Sequence, residues 1–330
     1  MKKVALITSG GDGAGINSTI EMIAKNTHID LYGFHGGYSG ILSNDPIHLT
    51  EEYCENRALD GIHLVKTGRS KLPFSKEGRE QLDRRLEAEG FECLVVCGGN
   101  GSQKAAQLLY REGTNTIFVP MTVDNDVNNS DYSIGFDTAL NKITDVLYGL
   151  HDTSANMPGR IFMVEVLGGN SGNLALESAI AGAADLVIIP EYSTYKRDIV
   201  HLVKEKLKQK KSLILLCSES AYENNNYQSG NQGVSFEIAT AIEEETEIRV
   251  RKSIMGFYMR AGRPSFKDAL IASKIGAVVS ESIIQNDYGV MVGVKNEQIY
   301  RIDLHDITEQ ANSLNSQTLE IAKQYKKIIL

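Results

Sequence analysis

The stretch CGGNGSQKAA, residues 97–106, directly follows the apolar run Leu94-Val95-Val96. A buried strand that ends in glycines and continues into a helix is a common anion-binding arrangement, because the first amide groups of the helix have no partner within it. The stretch therefore predicts an α/β fold with a phosphate site. It also raises the question of why an asparagine, Asn100, lies at its centre.

Composition and charge limit the classes of protein that this chain can represent. Its 330 residues suit two domains of ordinary size. The formal net charge of −8 argues against a broad nucleic-acid-binding surface, although a local arginine cluster for a small phosphorylated ligand stays compatible with it. No apolar run approaches the roughly 20 residues that a membrane span needs. We expect neither a nucleic-acid partner nor a membrane partner.

The cysteines and the N-terminal segment indicate the compartment. The cysteines are dispersed and lack the paired spacing of metal sites, which favours free thiols in a reducing environment; they are Cys54, Cys93, Cys97 and Cys217. The segment MKKVALITSGG reaches glycines too early for the apolar core of a signal peptide. A cytoplasmic location is therefore expected.

Short apolar runs recur along the chain, and helical patterns lie between them. Such runs are typical of strands that are buried on both faces of a parallel sheet. One helical pattern, Lys76 to Glu89, has Ser75 before it and Gly90 after it as caps. The alternation predicts a doubly wound α/β architecture. The runs are Val4 to Ile7, Leu94 to Cys97, Thr116 to Val119, Ile161 to Val166, Leu186 to Ile189, Leu213 to Cys217 and Val290 to Val294.

Glycines or acids follow four of these runs, in the segments SGGDGAG, GGNGS, MTVDNDV and EVLGGNSGN. Ligands of doubly wound folds bind beyond the carboxyl ends of the strands, so these segments are the candidate site. The first segment lacks the Gly-Lys-Ser/Thr of a Walker loop and the GxGxxG spacing of dinucleotide folds. It is either a phosphate cradle or a tight turn that needs positive φ.

Two carboxylates, Asp124 and Asp126, lie two residues apart after the third strand. In an extended segment such residues point to the same side, where one could accept a proton while the other holds a metal or adjusts its partner. The alternative is a turn in which both acids are solvated, which is common for Asp/Asn clusters. The spacing alone does not decide between the two.

The order of the motifs resembles the phosphofructokinase family. The matching segments are SGGD, Thr67-Gly68-Arg69, GGNGS, TVDND, GFDTA, EVLG with GNLAL, and MGFYMRAG, and they cover nearly the whole chain. The resemblance implies two Rossmann-like doubly wound α/β domains with the active site between them, and a homotetramer or dimer. The implied nucleotide-binding domain comprises residues 1–136 plus 259–308, and the sugar-phosphate-binding domain comprises 137–258 plus 309–330.

Members of this family transfer the γ-phosphoryl of ATP, or of pyrophosphate in one branch, to the 1-hydroxyl of fructose 6-phosphate. By resemblance, Asp124 is the base that takes the hydroxyl proton, Asp126 supports it, and Thr122 lies beside the transferring group. Asn100 and Asp126 are the implied Mg²⁺ ligands. The nucleotide phosphates would contact Gly11, Arg69, Gly99, Asn100, Gly101 and Ser102.

The resemblance also assigns the residues that bind the sugar phosphate. Arg260 aligns with the arginine that binds the 6-phosphate, while Arg160 and Arg251 align with arginines that a neighbouring subunit donates. Arginine suits this task because its planar guanidinium makes paired hydrogen bonds to phosphate oxygens. Glu219 matches a carboxylate that binds sugar hydroxyls. Leu167 and Phe257 complete the expected acceptor set.

The sequence departs from the family pattern at several of these positions. Asn100 replaces an aspartate, which removes a negative charge and should weaken Mg²⁺ binding. Gly101 matches ATP users, whereas Met121 matches neither the glycine of ATP users nor the lysine of pyrophosphate users. Phe257 replaces a histidine and Gly169 an arginine.

These departures leave two hypotheses. The first is a kinase that acts on fructose 6-phosphate or a related sugar phosphate. The second is a non-catalytic protein of the same fold that senses a phosphosugar or a nucleotide. The TVDND segment favours the kinase, because a binding protein has little need for both acids.

Overall fold

The three-dimensional structure is a computed structural model that describes residues 1–192, 195–221, 233–308, 314–325 and 327. The strands are β1 (Lys2–Ser9), β2 (Ile29–Gly33), β3 (Ile47–His48), β4 (Cys93–Gly98), β5 (Thr116–Pro120), β6 (Ile161–Val166), β7 (Leu186–Ile188), β8 (Leu213–Ser218), β9 (Val250–Ile254), β10 (Val290–Lys295) and β11 (Gln298–Asp303). The helices are α1 (Ile16–Ala24), α2 (Gly37–Ser43), α3 (Glu51–Cys54), α4 (Lys76–Ala88), α5 (Asn100–Arg111), α6 (Phe136–Asn156), α7 (Asn173–Ala181), α8 (Lys196–Leu207), α9 (Val234–Thr246), α10 (Phe266–Gln285) and α11 (Ser316–Gln324).

The chain forms two units, each with its own sheet. Unit 1 comprises Met1–Thr138 and Arg260–Asn312, and unit 2 comprises Ala139–Met259 and Ser313–Leu330. In unit 1 the strand order is β11-β10-β5-β4-β1-β2-β3. The edge strands β11 and β3 pair in the antiparallel direction, and the strands between them are parallel. This mostly parallel sheet confirms the predicted α/β class.

The sheet of unit 2 has the strand order β7-β8-β6-β9, and all of its pairings are parallel. Every residue of the central strands β6 and β8 is buried. Helices α8 and α9 contribute apolar side chains to the core around these strands, among them Ile199, Val203 and Ile238. Burial on both faces explains why β6 and β8 consist of nearly continuous apolar residues.

The register of unit 1 brings the carboxyl ends of three strands to one edge of the sheet. Ser9 at the end of β1 pairs with Gly98 at the end of β4, and Gly98 in turn pairs with Pro120 at the end of β5. The segments that follow these strands are SGGDGAG, GGNGS and MTVDNDV. All three chemically distinctive segments therefore begin side by side.

Six of the seven apolar runs lie within strands, and the run from Leu186 to Ile189 exceeds β7 by one residue. Ser75 caps α4 as predicted, because its hydroxyl accepts from the amide of Gly78. The cysteines are free and buried, which confirms the prediction of free thiols. The polar segment between Ser220 and Val234, predicted as a loop, lies mostly outside the described residues. Among the helices in the described part of the chain, none is both long and apolar enough to cross a bilayer.

A buried carboxylate, that of Asp268, joins the first turn of α10 to the GFDTA segment. Asp268 is fully buried, and its Oδ1 accepts hydrogen bonds from the Tyr132 hydroxyl at 2.7 Å and the Gly135 amide at 2.8 Å. Its Oδ2 accepts from both the amide and the hydroxyl of Thr138. Burial raises the pKa of this carboxyl, and these hydrogen bonds oppose the rise.

We predict that Asp268→Asn lowers the free energy of unfolding by about 2–4 kcal/mol. Whichever way the new amide turns, its NH₂ group faces two donors where the carboxylate accepted two hydrogen bonds. The measurement is chemical denaturation of both proteins. The matched control is Glu281→Gln on the same helix, where the exposed carboxylate pairs with Arg301 and the expected change is below about 1 kcal/mol. Equal effects of the two substitutions would contradict the role of Asp268.

Candidate active site

The glycine segment after β1 is held against the Thr67-Gly68-Arg69 loop. The Gly10 amide donates to the Gly68 carbonyl at 3.0 Å, and the Thr67 hydroxyl donates to the Gly10 carbonyl at 3.2 Å. These bonds place the backbone of Arg69 beside the glycine segment, with its side chain exposed. An arginine in this position is available to an anion that approaches the loop.

The conformation of the glycine segment explains its composition. Gly10 and Gly15 have φ of 97° and 112°, values that L side chains rarely adopt. Gly15 is the N-cap residue of α1, and as a glycine it has no side chain that could cap the helix. The segment is therefore a turn that requires glycine and also leaves helix amides uncapped, so the two alternatives drawn from the sequence are compatible with each other. Its contact with a phosphate stays a prediction.

Met121 lies in the protein interior beneath this segment. Its side chain is fully buried, and a Cβ added at Gly13 would lie 2.9 Å from Met121 Cγ and 2.5 Å from the Ile134 carbonyl oxygen. Glycine at position 13 thus makes room for the methionine. Position 121, which differs from both the ATP users and the pyrophosphate users of the family, is thus occupied by a buried apolar side chain and not by a charged group.

The GGNGS segment forms the start of α5. Gly99 is the cap residue and has no side chain with which to satisfy the first amides of the helix. The Ser102 hydroxyl donates to the Ser9 carbonyl at 3.0 Å and so ties α5 to the end of β1. Gly101 is exposed, and a side chain there would meet no atom within 4 Å. The uncapped helix start is a suitable place for an anion.

The side chain of Asn100 connects α5 to the acidic segment. Its Nδ2 donates to the Asp126 carbonyl at 2.9 Å, and its Oδ1 accepts from the Asn128 amide at 3.1 Å. Both ends of the amide are therefore engaged with backbone. A carboxylate at this position has no donor for the Asp126 carbonyl, so the asparagine makes a contact that an aspartate cannot.

The acidic segment itself is a turn, so of the two alternatives that the sequence left open, the extended segment is wrong. Residues 123 and 124 form a turn, and Asn125 has φ of 49°, in the left-handed region. The Thr122 hydroxyl accepts from the Asp124 amide at 3.2 Å, and Asn125 Oδ1 accepts from the Ser133 amide at 2.8 Å. Side-chain hydrogen bonds to nearby backbone thus outweigh the extended geometry. Asp124 and Asp126 are both half-buried rather than fully solvated.

The electrostatic environment of Asp126 reflects its partial enclosure. Burial raises the pKa of its carboxyl, while its own backbone amide and the Asn100 side chain lower it. The carboxyl of Asp126 is thus held in a site where its ionised form is less favoured than in water.

Arg260 brings a cation to the same edge of unit 1. Its guanidinium lies 3.7 Å from an Asp12 carboxylate oxygen, and a Cβ added at Gly11 would lie 2.5 Å from Arg260 Nη1. The side chain is only 10% exposed. The structure therefore places Arg260, which the sequence assigned to a sugar phosphate, directly over Gly11.

In unit 2, some of the expected acceptor residues gather after β6. Glu219 lies beyond β8, its amide donates to the Val166 carbonyl at 2.8 Å, and its carboxylate accepts from the Gly169 amide at 3.0 Å. Gly169 has φ of 57°, so the residue that replaces the family arginine has a backbone conformation suited to glycine. Half-buried Leu167 adjoins this group. Phe257, in a short helical turn at Gly256–Arg260, is 76% exposed.

Arg160 and Arg251 lie at the opposite end of the unit 2 sheet. Arg160 immediately precedes β6, and Arg251 on β9 pairs with Phe162, the second residue of β6. Leu167 follows the last residue of the same strand. Six strand residues extend about 20 Å. The two arginines of one chain are thus far from that chain's Glu219 and Leu167.

The donor set bears on the expected Mg²⁺. Across the described part of the chain, no group of three or more His, Cys, Asp or Glu side chains could hold a metal ion. Mg²⁺ is usually held by one or two carboxylates together with the phosphates of a substrate. Binding of such an ion by Asn100 and Asp126 stays a prediction, and both ends of the Asn100 amide are engaged with backbone.

His63 is a residue near the site that the sequence did not reveal. Its half-buried ring lies under the glycine segment, with Nε2 3.2 Å from the Gly13 carbonyl oxygen. Burial lowers its pKa, and this effect outweighs the nearby Asp12 charge and the Gly13 carbonyl, which raise it. A lone histidine among the apolar residues Ile62, Leu64 and Val65 gives no sequence signal beyond its position four residues before Thr67.

We predict that the pH dependence of stability contains a contribution from His63. Because its folded-state pKa lies below the ordinary value of about 6.5, folding favours the neutral ring, and stability is lost as pH falls through that ordinary value. His63→Gln should therefore flatten the decline in the urea midpoint between about pH 7.5 and 5.5. His28→Gln, at an exposed position, is the control and should leave the decline unchanged. An unaltered decline in His63→Gln would refute the prediction.

Comparison with known proteins agrees with the motifs. The phosphofructokinase family profile matches residues 3–283. The ATP-dependent 6-phosphofructokinase 1 of Clostridium perfringens is 32% identical over 331 residues, which cover 99% of this chain and 100% of that protein. The pyrophosphate-dependent phosphofructokinase of Nitrosospira multiformis has a similar structure, with a TM-score of 0.84 and 21% identity over 96% of this chain and 86% of that one.

Phosphofructokinase from Saccharomyces cerevisiae is also similar in structure, with a TM-score of 0.81 and 23% identity. The match covers 99% of this chain but only 47% of the yeast chain. At such identities the structural similarity shows the fold alone. The family profile and the full-length similarity to the Clostridium protein go further, and the chain belongs to the phosphofructokinase family.

Proposed function

We propose that this protein is a kinase that transfers the γ-phosphoryl of ATP to the 1-hydroxyl of fructose 6-phosphate. The observation that carries the proposal is the placement of Asp124, half-buried at the carboxyl end of β5, beside two strand ends that lead into uncapped helix starts. Phosphoryl transfer depends mainly on positioning and charge neutralisation, and this edge of unit 1 offers both. We infer that unit 1 is the nucleotide-binding domain and that unit 2 binds the sugar phosphate.

In this mechanism Asp124 takes the proton of the 1-hydroxyl as its oxygen forms a bond to the γ-phosphorus. The bond from the γ-phosphorus to the bridging oxygen breaks, and ADP leaves. Asp126 supports Asp124, and Thr122, whose hydroxyl already accepts from the Asp124 amide, holds the turn in shape. Amides of Gly11 and of residues 99–102, together with Arg69, neutralise the charge on the nucleotide phosphates.

ATP is the proposed donor because Gly101 leaves open space at the start of α5 and adds no negative charge near the phosphates. Mg²⁺ enters with the nucleotide as part of the substrate, and its role there is to neutralise phosphate charge. Asp126 is the side chain of this chain that would meet it. Met121 is packed in the interior, and it is not the lysine that is typical of pyrophosphate users at this position.

Fructose 6-phosphate is the proposed acceptor. Glu219 is positioned by the Gly169 amide to accept hydrogen bonds from sugar hydroxyls. Arg260 is the partner of the 6-phosphate that the family resemblance implies, although it belongs to unit 1 and lies over Gly11. Phe257 supplies an exposed aromatic ring where the family has a histidine, and Gly169 has no side chain where the family has an arginine. A related sugar phosphate with a bulkier substituent is the second acceptor that these two replacements favour.

Arg160 and Arg251 support an assembly of several copies. Because they lie about a strand length, roughly 20 Å, from Leu167 and Glu219 of the same chain, they cannot bind the same phosphate in one subunit. We propose that they reach the site of a neighbouring copy in a dimer or tetramer. The buried free thiols are consistent with a cytoplasmic enzyme. A non-catalytic sensor of phosphosugars is not favoured, since it has no use for the acid pair.

We predict that Asp124→Asn lowers kcat for fructose 6-phosphate by about 10²–10⁴-fold, the usual contribution of a general base. The KM values should change little, because the base acts in the transition state. Coupled steady-state assays measure both constants. Asp287→Asn is the matched control: this exposed carboxylate precedes β10, a parallel neighbour of β5, and so lies at the other end of the sheet. If Asp124→Asn keeps a kcat within about threefold of wild type, Asp124 is not the base.

The shared site predicts complementation between two inactive variants. Asp124→Asn and Arg251→Ala should each be nearly inactive, and hybrids that contain both subunits should regain activity, because some sites combine an intact Asp124 with an intact Arg251. Hybrids are formed by co-expression with two affinity tags and assayed after two-step purification. Activity no greater than the sum of the parents in verified hybrids would contradict the proposal that neighbouring copies share a site.

A further inference from the structure

The start of α5 holds residues 126–128 through two side-chain amides. The Asn100 side chain uses both ends of its amide: its Nδ2 donates to the Asp126 carbonyl at 2.9 Å, and its Oδ1 accepts from the Asn128 amide at 3.1 Å. One turn further along, Gln103 Nε2 donates to the Asn128 carbonyl at 3.0 Å. Asn128 is thus bound to α5 through both its amide and its carbonyl. These contacts link residues that are 25 to 28 positions apart in the sequence.

We propose that Asn100 is a positioning residue, which fixes the backbone after Asp124 through Asp126 and Asn128, and that it does not act as a metal ligand. The inference rests on the proposed kinase function of the same site. It assigns the asparagine a task that depends on having a donor and an acceptor on one planar group. The replacement of the family's aspartate by asparagine, which should weaken Mg²⁺ binding, then follows from this positioning role.

The chemistry of the alternatives supports this assignment. An aspartate at position 100 can still accept from the Asn128 amide, but it brings a second oxygen to the Asp126 carbonyl, where asparagine supplies a donor. Two acceptor oxygens about 3 Å apart repel each other, so the segment must move. The new carboxylate would also stand beside the Asp126 side chain, at the cost of like-charge repulsion.

The turn that carries Asp124 is sensitive to such movement. Asn125 Oδ1 ties one side of the turn to the Ser133 amide at 2.8 Å, and Asn100 ties the other side to α5. A shift of about 1 Å in a catalytic group can lower the rate by about 10²-fold. Loss of the Asn100 contact should therefore reduce kcat, while the binding of either substrate changes less.

The decisive comparison is among Asn100→Asp, Asn100→Ala and a matched control, Gln107→Ala. Gln107 lies on the same helix and donates a side-chain amide hydrogen to a backbone carbonyl, that of Leu304, outside the acidic segment. We expect kcat to fall at least tenfold in both Asn100 variants, with KM for fructose 6-phosphate within about threefold of wild type. Gln107→Ala should keep the wild-type kcat.

A metal-ligand role predicts the opposite sign for one variant. If Asn100 were a weakened ligand, Asn100→Asp would saturate at lower Mg²⁺ concentration and keep or raise kcat, because carboxylates bind Mg²⁺ better than amides do. Either result would overturn the positioning role. A kcat that falls in Asn100→Asp and Asn100→Ala alike, with no lower Mg²⁺ requirement, supports it.

Hydrogen exchange tests the contact independently of turnover. In a peptide that contains Asn128, we expect amide exchange to be at least tenfold faster in Asn100→Ala than in wild type, and unchanged in Gln107→Ala. Unchanged exchange in Asn100→Ala would refute the inference. If the wild-type protein transfers no phosphoryl group to any sugar phosphate, the proposed function fails, and the exchange result still decides whether Asn100 positions the segment.

Discussion

The hydrogen-bonded register of three parallel strands in unit 1 decides where each chemically distinctive segment begins. Ser9, Gly98 and Pro120 are paired across β1, β4 and β5, so a shift of one strand by a single residue would separate segments that now adjoin. The buried apolar side chains of these strands hold that register. The site is consequently a product of the core rather than of the loops alone.

Each segment is then held by contacts that leave its functional groups available. The Ser102 hydroxyl donates to the Ser9 carbonyl at the end of β1, and the Asn100 side-chain amide donates to the acidic segment. The buried Asp268 carboxylate accepts from the GFDTA segment. The first amides of α1 and α5 have no side-chain caps. Polar side chains therefore position the segments, and the first backbone amides of α1 and α5 stay available to bind an anion. This division of labour is suited to phosphoryl transfer, in which preorganised donors stabilise the transition state.

The sequence predicted the elements whose signal is local. Continuous apolar runs identified seven buried strands, but they did not identify β2, β3, β9 or β11. The half-buried residues of β9 and β11 include Arg251 and Arg301. The sequence left open whether Asp124 and Asp126 lie on an extended segment or in a turn, because side-chain hydrogen bonds, not alternation, determine the turn at Asn125. Motif order supplied the family, which no single motif could have done.

The parts that the sequence could not predict depend on contacts between distant residues. Asn100 and Asn128 meet only because α5 and the acidic segment follow neighbouring strands, so the role of the amide is invisible in GGNGS itself. Asp268 looks like an ordinary acid in the first turn of a helix until Tyr132, Gly135 and Thr138 surround it. The separation of Arg160 from Leu167 likewise required the strand between them to be placed.

The most direct test of the central claim is ³¹P NMR of the wild-type protein with Mg-ATP and fructose 6-phosphate. The proposed chemistry predicts that ATP is converted to ADP while a new phosphate monoester appears on the 1-hydroxyl in equal amount, with no such signal when pyrophosphate replaces ATP. Persistence of both substrates, or hydrolysis of ATP to free phosphate without a new ester, would contradict the claim that this site is a sugar-phosphate kinase.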